Sequence, residues 1–206
     1  MSTVLFVKAN DRPAEESVSV KMYEAFLKHY KQTHAEDTIV EVHLHEQELP
    51  LLGWDMIQAN YKSATGKELS GKEKHIRSIV EKHWEQFISA DKILIAFPLW
   101  NLSVPSVLHA YLDLMHLPGK TFRYTEAGPV GLLSDKKAVL LNARGGVYGE
   151  DAPSEMAVRF VKNHLNFFGI TNISTVIIEG HHQFPDRGAT LIEEGMRKVV
   201  MEAERF

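Results

Sequence analysis

Three stretches of the chain carry residue types suited to holding a flat, charged small molecule. The first is Lys8-Ala-Asn-Asp-Arg-Pro-Ala-Glu-Glu-Ser-Val-Ser19. Ser17, Val18 and Ser19 stand where an apolar helical repeat begins. Free backbone N–H groups, the positive end of a helix dipole and two hydroxyls suit a phosphomonoester. Taken alone, Ser17 reads first as a plain helix N-cap, with the phosphate site as the second reading. The second stretch is Lys92-Ile-Leu-Ile-Ala-Phe-Pro-Leu-Trp-Asn-Leu-Ser-Val-Pro105. Its apolar run stops at Pro98, and Trp100 and Asn101 follow where the chain must leave a sheet. Ser103 and Pro105 fit the first turn of a helix. A large flat side chain beside an amide suits a hydrogen-bonding ring, although Trp100 alone fits packing and Asn101 alone fits a turn. The third stretch is Asn142-Ala-Arg-Gly-Gly-Val-Tyr148. Paired glycines let the backbone approach a ligand, and Arg144 offers a fixed charge; an ordinary Gly-Gly turn fits too.

Other chemistry finds less support. The first stretch matches neither GxGxxG nor GxxxxGK[ST], and no GxSxG occurs, so a dinucleotide fold, a P-loop and a serine hydrolase are disfavoured. The chain has no cysteine. Disulfides, thiol catalysis and thiolate metal sites are therefore excluded, and any electron transfer needs a bound cofactor. His43 and His45 share a strand face and read as solvated, with no third ligand at metal spacing; no metal site is expected. His181 and His182 read first as a surface loop, with a place in the site as the second reading. Glu15 and Glu16 would be awkward neighbours for a phosphate, and they read first as pointing outward, with a place near the phosphate as the second reading.

These residues need elements to position them. Short apolar runs at Thr3–Val7, Thr38–Leu44, Lys92–Phe97, Lys137–Asn142 and Ile173–Ile178 read as strands. Between them, helical spacing runs from Ser17 to about Gln32, from the capping-box pattern Ser70-Gly-Lys-Glu73 to Phe87, and from Val104 to Met115. Pro153 opens a further helix that Gly169 closes, and Pro185 and Asp186 lead into the last. Five strands alternating with helices predict a parallel sheet covered on both faces, in one domain over 1–206. The loops after strands one, three and four then meet at the switch point of the sheet. Two inserts interrupt the rhythm: Glu46–Leu69, with Trp54 and Tyr61, and Pro118–Leu133, with Phe122 and Tyr124.

At these residues the chain resembles the FMN-dependent NADH azoreductases, also described as FMN-dependent NADH:quinone oxidoreductases. The resemblance covers essentially the whole length. It runs through Ser17-Val-Ser19, Phe97-Pro-Leu-Trp-Asn-Leu102, Gly119-Lys-Thr-Phe-Arg-Tyr-Thr-Glu-Ala-Gly-Pro-Val-Gly131 and Ala143-Arg-Gly-Gly-Val-Tyr148. It implies a flavodoxin-like, doubly wound five-stranded parallel sheet of order 2-1-3-4-5. It also implies a homodimer with non-covalent FMN near the interface. By similarity, Ser17, Val18 and Ser19, with Asn10 nearby, would hold the phosphate. Pro98, Leu99, Trp100, Asn101 and Leu102 would line the isoalloxazine. Ala143, Arg144, Gly145, Gly146 and Tyr148 would meet its polar edge or ribityl side. Phe122 and Tyr124 would wall the substrate space, and Tyr124 and His182 are the candidate proton donors. The chain departs from the family pattern at Leu99, often methionine, at Leu102, often phenylalanine, and at Ala9-Asn10, where serine or histidine is common.

The activity so implied is two-electron transfer from NADH or NADPH, by a ping-pong mechanism, to quinones and aromatic azo compounds. A flavodoxin-like electron carrier and a flavin or nitro reductase are the alternatives. A net charge of −4 is mild for a carrier's acidic docking face, and it gives no basic footprint for nucleic acid. No apolar run approaches the roughly 20 residues that span a bilayer. The opening residues lack a basic segment followed by a long apolar one, so no secretory signal is expected, and a cytoplasmic protein is.

Overall fold

The computed structural model describes residues 1–149 and 152–206. Five strands form one parallel sheet: β1 (Thr3–Lys8), β2 (Thr38–His43), β3 (Lys92–Pro98), β6 (Lys137–Arg144) and β7 (Asn172–Glu179). Their order is β2-β1-β3-β6-β7, the expected 2-1-3-4-5 when parallel strands alone are numbered. The central strands are apolar on both faces because helices cover both. Leu5, Val7, Ile93, Ile95, Phe97 and Leu140 pack on one side. Val4, Phe6, Leu94, Ala96, Val139 and Leu141 pack on the other. That alternation is the period of two that a pleated strand imposes.

The first side is covered by α3 (Gly71–Ser89), α4 (Ser106–Leu114) and α5 (Ala157–Phe167), and the second by α1 (Val18–Thr33) and α6 (Gly188–Arg205). Ser17 caps α1 by accepting from the Val20 amide at 3.3 Å. The capping box of α3 forms as its sequence predicts: Ser70 Oγ accepts from Glu73 N–H, and the Glu73 carboxylate accepts from Ser70 N–H. Gly169, at φ 95°, ends the turn after α5, where only glycine is unstrained.

Several boundaries differ from expectation. The insert 46–69 contains a helix, α2 (Trp54–Ala64), and the insert 118–133 contains an antiparallel hairpin of β4 (Phe122–Thr125) and β5 (Gly128–Gly131). Ser103 lies outside α4, bridged back to Trp100, and Pro105 is the N-cap. Helix α5 starts at Ala157 rather than Pro153, because Ala152 and Glu155 first close a turn. Strand β6 continues through Arg144, and Leu44 and His45 leave β2 for a 3₁₀ turn.

The amino end of the sheet is closed by two cations, Lys136 buried and Lys92 partly so. Lys92 Nζ donates to Tyr30 Oη at 2.7 Å and to Asp37 Oδ2 at 3.1 Å. Lys136 Nζ donates to the carbonyls of Ile88 and Ala90 at 2.6 and 2.7 Å. The carboxyl end carries the loops described next. Among the described residues, no helix is long and apolar enough to cross a membrane.

Candidate functional site

At the switch point between β1 and β3 lies a cleft of about 220 Å³. The amide of Ala9 bonds the Ala96 carbonyl at 3.0 Å, which carries the β1 pairing one step past the strand. Asn10, next in the chain, is buried at 2 % exposure. Its Nδ2 donates to Ser17 Oγ at 2.8 Å and to Ser19 Oγ at 3.0 Å, and its Oδ1 accepts from Arg12 N–H at 3.1 Å. The two hydroxyls stand 3.2 Å apart. Ser17 thus both caps α1 and lines the cleft, together with Val18 and Ser19. Two hydroxyls and the N-terminus of a 16-residue helix converge on one spot, the donor set an anion needs.

The opposite wall is Pro98, Leu99 and Trp100. Here the chain reverses within two residues. Trp100 N–H bonds the Ser103 carbonyl at 3.0 Å, and Ser103 N–H bonds the Trp100 carbonyl at 2.9 Å. The residues between, Asn101 and Leu102, take φ of 47° and 68°. Positive φ at both central positions is the type I′ pattern. Asparagine tolerates it; leucine there is strained. Leu102 is 52 % exposed, so burial does not hold it in place. Its carbonyl instead accepts from Met156 N–H at 3.1 Å, immediately before α5. Leu99 N–H reaches across to the Ala143 carbonyl at 2.9 Å, which joins this wall to the third loop.

Ala143 and Gly145 form the third wall with His181 and His182. The Gly145 carbonyl accepts from the amides of His182 and Gln183, both at 3.0 Å. A Cβ on Gly145 would stand 2.9 Å from His182 Nδ1, so the glycine allows the close approach. His181 Nδ1 is buried and has no partner among the described residues. Burial and the neighbouring His182 push the His181 imidazole below its usual range, toward the neutral form.

Of the residues expected in the site, Asn10, Ser17, Val18, Ser19, Pro98, Leu99, Trp100, Ala143, Gly145 and His182 come together in this cleft. Others do not. Asn101 borders a second cavity of about 480 Å³ on the far side of Trp100, with Leu51, His109 and Asp113. Leu102 is exposed, and Gly146 packs against Tyr148 and Gln183. Arg144 and Tyr148 line a groove between α5 and β7 instead. The reason is strand geometry: with β6 running through Arg144, Ala143 and Arg144 point to opposite faces. Phe122 and Tyr124 stand on the hairpin, with rings 5.3 Å apart. Phe122 also lies 4.6 Å from Phe167 and 6.2 Å from His116.

The cleft also holds Arg12, which was not expected there, and Glu16 and His181, for which a place in the site was only the second reading. Glu16 points outward as expected, with its side chain 64 % exposed at the rim. Its carboxylate lies 3.6 Å from the Arg12 guanidinium.

Comparison with known proteins follows the same lines. The flavodoxin-like fold family matches residues 2–201. The chain is 52 % identical over 208 aligned positions, covering all of both chains, to the FMN-dependent NADH:quinone oxidoreductase 4 of Bacillus cereus (strain ATCC 10987 / NRS 248). It superposes on the crystal structure of an azoreductase from Bacillus anthracis str. Sterne with a TM-score of 0.97 at 51 % identity, again over all of both chains. It superposes on an FMN-dependent NADH-azoreductase from Bacillus anthracis str. Ames Ancestor, solved in complex with FMN, with a TM-score of 0.91. That match is 28 % identical over 100 % of this chain and 99 % of the other.

Proposed function

The chain belongs to the flavodoxin-like fold family and, within it, to the FMN-dependent NADH:quinone oxidoreductases, and from that premise we propose how its cleft serves the reaction. The chain is an enzyme that uses FMN to pass two electrons from NADH to a quinone, and its near relatives extend the acceptors to azo compounds. In our reading residues 1–206 form one FMN-binding domain. NADPH is the alternative donor, and the cytoplasm, where both donors are made, is the working compartment.

The observation that carries the placement of FMN is the Asn10–Ser17–Ser19 cradle facing the Pro98–Trp100 wall across one cleft. The cradle supplies hydroxyls and helix N–H groups for the phosphate. Arg12 at its rim adds positive charge and draws Glu16 aside. Leu99 and Trp100 supply a flat apolar face for the isoalloxazine. Gly145 lets the backbone approach the ring edge, and His181 offers a buried, unpartnered nitrogen for a polar atom of the cofactor. FMN, when bound, supplies the two-electron chemistry. The protein orients the ring, excludes water beneath it and leaves one face open for donor and acceptor in turn. One shared face implies ping-pong kinetics. His182 at the cleft and Tyr124 on the hairpin are the groups placed to manage protons.

A homodimer completes the reading. His109, Phe160, His164, His116, Phe167, Phe122 and Tyr124 form a continuous chain of ring contacts across α4, α5 and the hairpin. Tyr124, at 73 % exposure, ends that chain in the open. A second copy laid on this stripe would cover it and bring Phe122 and Tyr124 toward a cleft.

The test is spectroscopic. Purified protein with FMN is mixed anaerobically with NADH, and menadione is then added. Bleaching by NADH and recovery with menadione are expected. Protein that takes up no FMN, or is not bleached by NADH, would contradict the reading. Light scattering that returns a monomer would remove the dimer from it.

A further inference from the structure

We propose that Arg144 is a positioning residue that holds two walls of the cleft, Pro98–Trp100 and the Gly145 loop, in register without touching the cofactor. The proposal rests on the placement of FMN given above.

Arg144 is 3 % exposed, a cation enclosed beside a functional cleft. Its Nε donates to Asn142 Oδ1 at 2.8 Å. Asn142, 0 % exposed, turns its Nδ2 to the Phe97 carbonyl at 3.0 Å, one residue before the Pro98–Trp100 wall. One Nη lies 3.6 Å from Glu179 Oε2, which accepts from Tyr148 N–H at 3.1 Å and so fixes the end of the Gly145–Tyr148 loop. The other Nη lies 3.5 Å from Glu155 Oε1, which accepts from Val158 N–H at 2.9 Å in the first turn of α5. Met156, between them, holds the strained Leu102 carbonyl. One guanidinium therefore ties the end of β3, the glycine loop and the support of the I′ turn. No bond leads from it to the Asn10–Ser17–Ser19 cradle.

The choice of arginine fits this role better than a role in bulk stability. Arg144 and Glu155 are buried and Glu179 is 32 % exposed, and a buried ion pair is seldom more stable than apolar packing of the same volume. What it adds is direction. The guanidinium is planar and presents donors at fixed angles, whereas a lysine ammonium makes a single point contact. The network therefore bears on the ring end of the cofactor and not on the phosphate end.

The test compares R144K, S17A and K136M with the unaltered protein, using FMN and riboflavin as probes in fluorescence titrations. R144K is expected to weaken both flavins together by about tenfold or more, the loss of one charge-assisted bond, and to leave the FMN-to-riboflavin ratio unchanged. It should also change the ratio of affinities for reduced and oxidised FMN. S17A should lower the FMN-to-riboflavin ratio. Lys136 is an equally enclosed cation, 6 % exposed, at the opposite end of the sheet. K136M should lower the melting temperature without altering flavin affinity. Should R144K fail to fold, E179Q keeps the acceptor for Tyr148 but removes the charge, and about threefold weaker binding of both flavins is expected. R144K (or E179Q in its place) with unaltered flavin binding overturns the inference, as does K136M reproducing the flavin effects. Unaltered protein that binds riboflavin and FMN equally weakly overturns the FMN reading and the inference with it.

Discussion

Gly131 and Gly169 lie backbone against backbone: a Cβ on Gly131 would collide with the Gly169 nitrogen, and one on Gly169 would stand 3.1 Å from the Gly131 carbonyl carbon. The contact seats the β4–β5 hairpin on the turn that ends α5. Leu133 N–H, bonded to the Phe168 carbonyl at 2.9 Å, secures it. The contact therefore helps to place Phe122 and Tyr124, the hairpin residues proposed above to wall the substrate space.

G131A is therefore expected to cost about 1–3 kcal/mol, as overpacking does, and to displace the hairpin. FMN binding should survive, because no cleft residue lies on the hairpin. Quinone reduction should fall while NADH bleaching persists. G66A is the control. Gly66 has φ 68° but open space around it, so only the backbone term, roughly 1 kcal/mol, should appear. Denaturant melts and separate half-reaction rates check both variants.

N10A should lower FMN affinity as strongly as S17A and S19A do. Removing the amide leaves two enclosed hydroxyls without their shared donor and frees them to turn away. Each lost bond to an ionised phosphate is worth about 1.5–3 kcal/mol, so a loss of tenfold or more in FMN affinity is expected. Riboflavin affinity should hardly move. Equal loss for both flavins would show that the cradle does not meet the phosphate.

Leu102 offers a gain. Its φ of 68° is strained for leucine and free for glycine. L102G should stabilise the chain by up to about 1 kcal/mol, the relief of strain outweighing the entropy glycine adds to the unfolded state. N101V should destabilise it by more than about 1 kcal/mol, since a branched side chain at φ 47° is worse placed than asparagine. Thermal melts read both. A destabilised L102G would mean that the exposed side chain has a partner.

Acid should weaken the fold earlier than carboxylate titration alone would. Burial pushes His83, His116 and His181 below the usual histidine range. Such groups bind protons more readily once unfolded. The unfolded state therefore holds more protons below about pH 6.5, and stability falls as the pH drops through that value toward their folded pKa values. Melting temperatures should be level from pH 8 to 7 and decline between 6.5 and 5. His83, 1 % exposed against Tyr111, is the clearest contributor. H83F should make the decline shallower by at most about 1.4 kcal/mol per pH unit. An unchanged slope would assign the acid response to other groups.

Much of this was legible in the sequence, for physical reasons that can be named. Uninterrupted apolar runs such as Ile93–Phe97 exist because both faces of a parallel sheet are buried, and they fixed the sheet. Caps at Ser17 and Ser70 and the glycine at 169 marked helix ends through their own chemistry. What escaped notice lacks such marks. Helix α2 follows Gly53, an N-cap without a side chain to accept, and leaves Trp54, Ile57 and Tyr61 exposed, so its pattern does not read as a face turned to a core. The hairpin strands are four residues each, and β5 contains Gly128 and Pro129. In the cleft, Ser17, Trp100 and Gly145 were readable from their own chemistry, and Asn10 only through the family resemblance. Arg144 was readable as important but not as to where it points. One residue more of strand reverses a side chain, and strand ends are what sequence marks least.

The two ends of the sheet have different duties. At the amino end, Lys92 and Lys136 spend their donors on Tyr30, Asp37 and the carbonyls of Ile88 and Ala90, well apart from the cleft at the other end. An engineer who wishes to change the acceptor can therefore randomise the hairpin tip and the rim of the second cavity while leaving that foundation alone. Such a library should keep a high fraction of folded members and spread its losses over activity rather than expression.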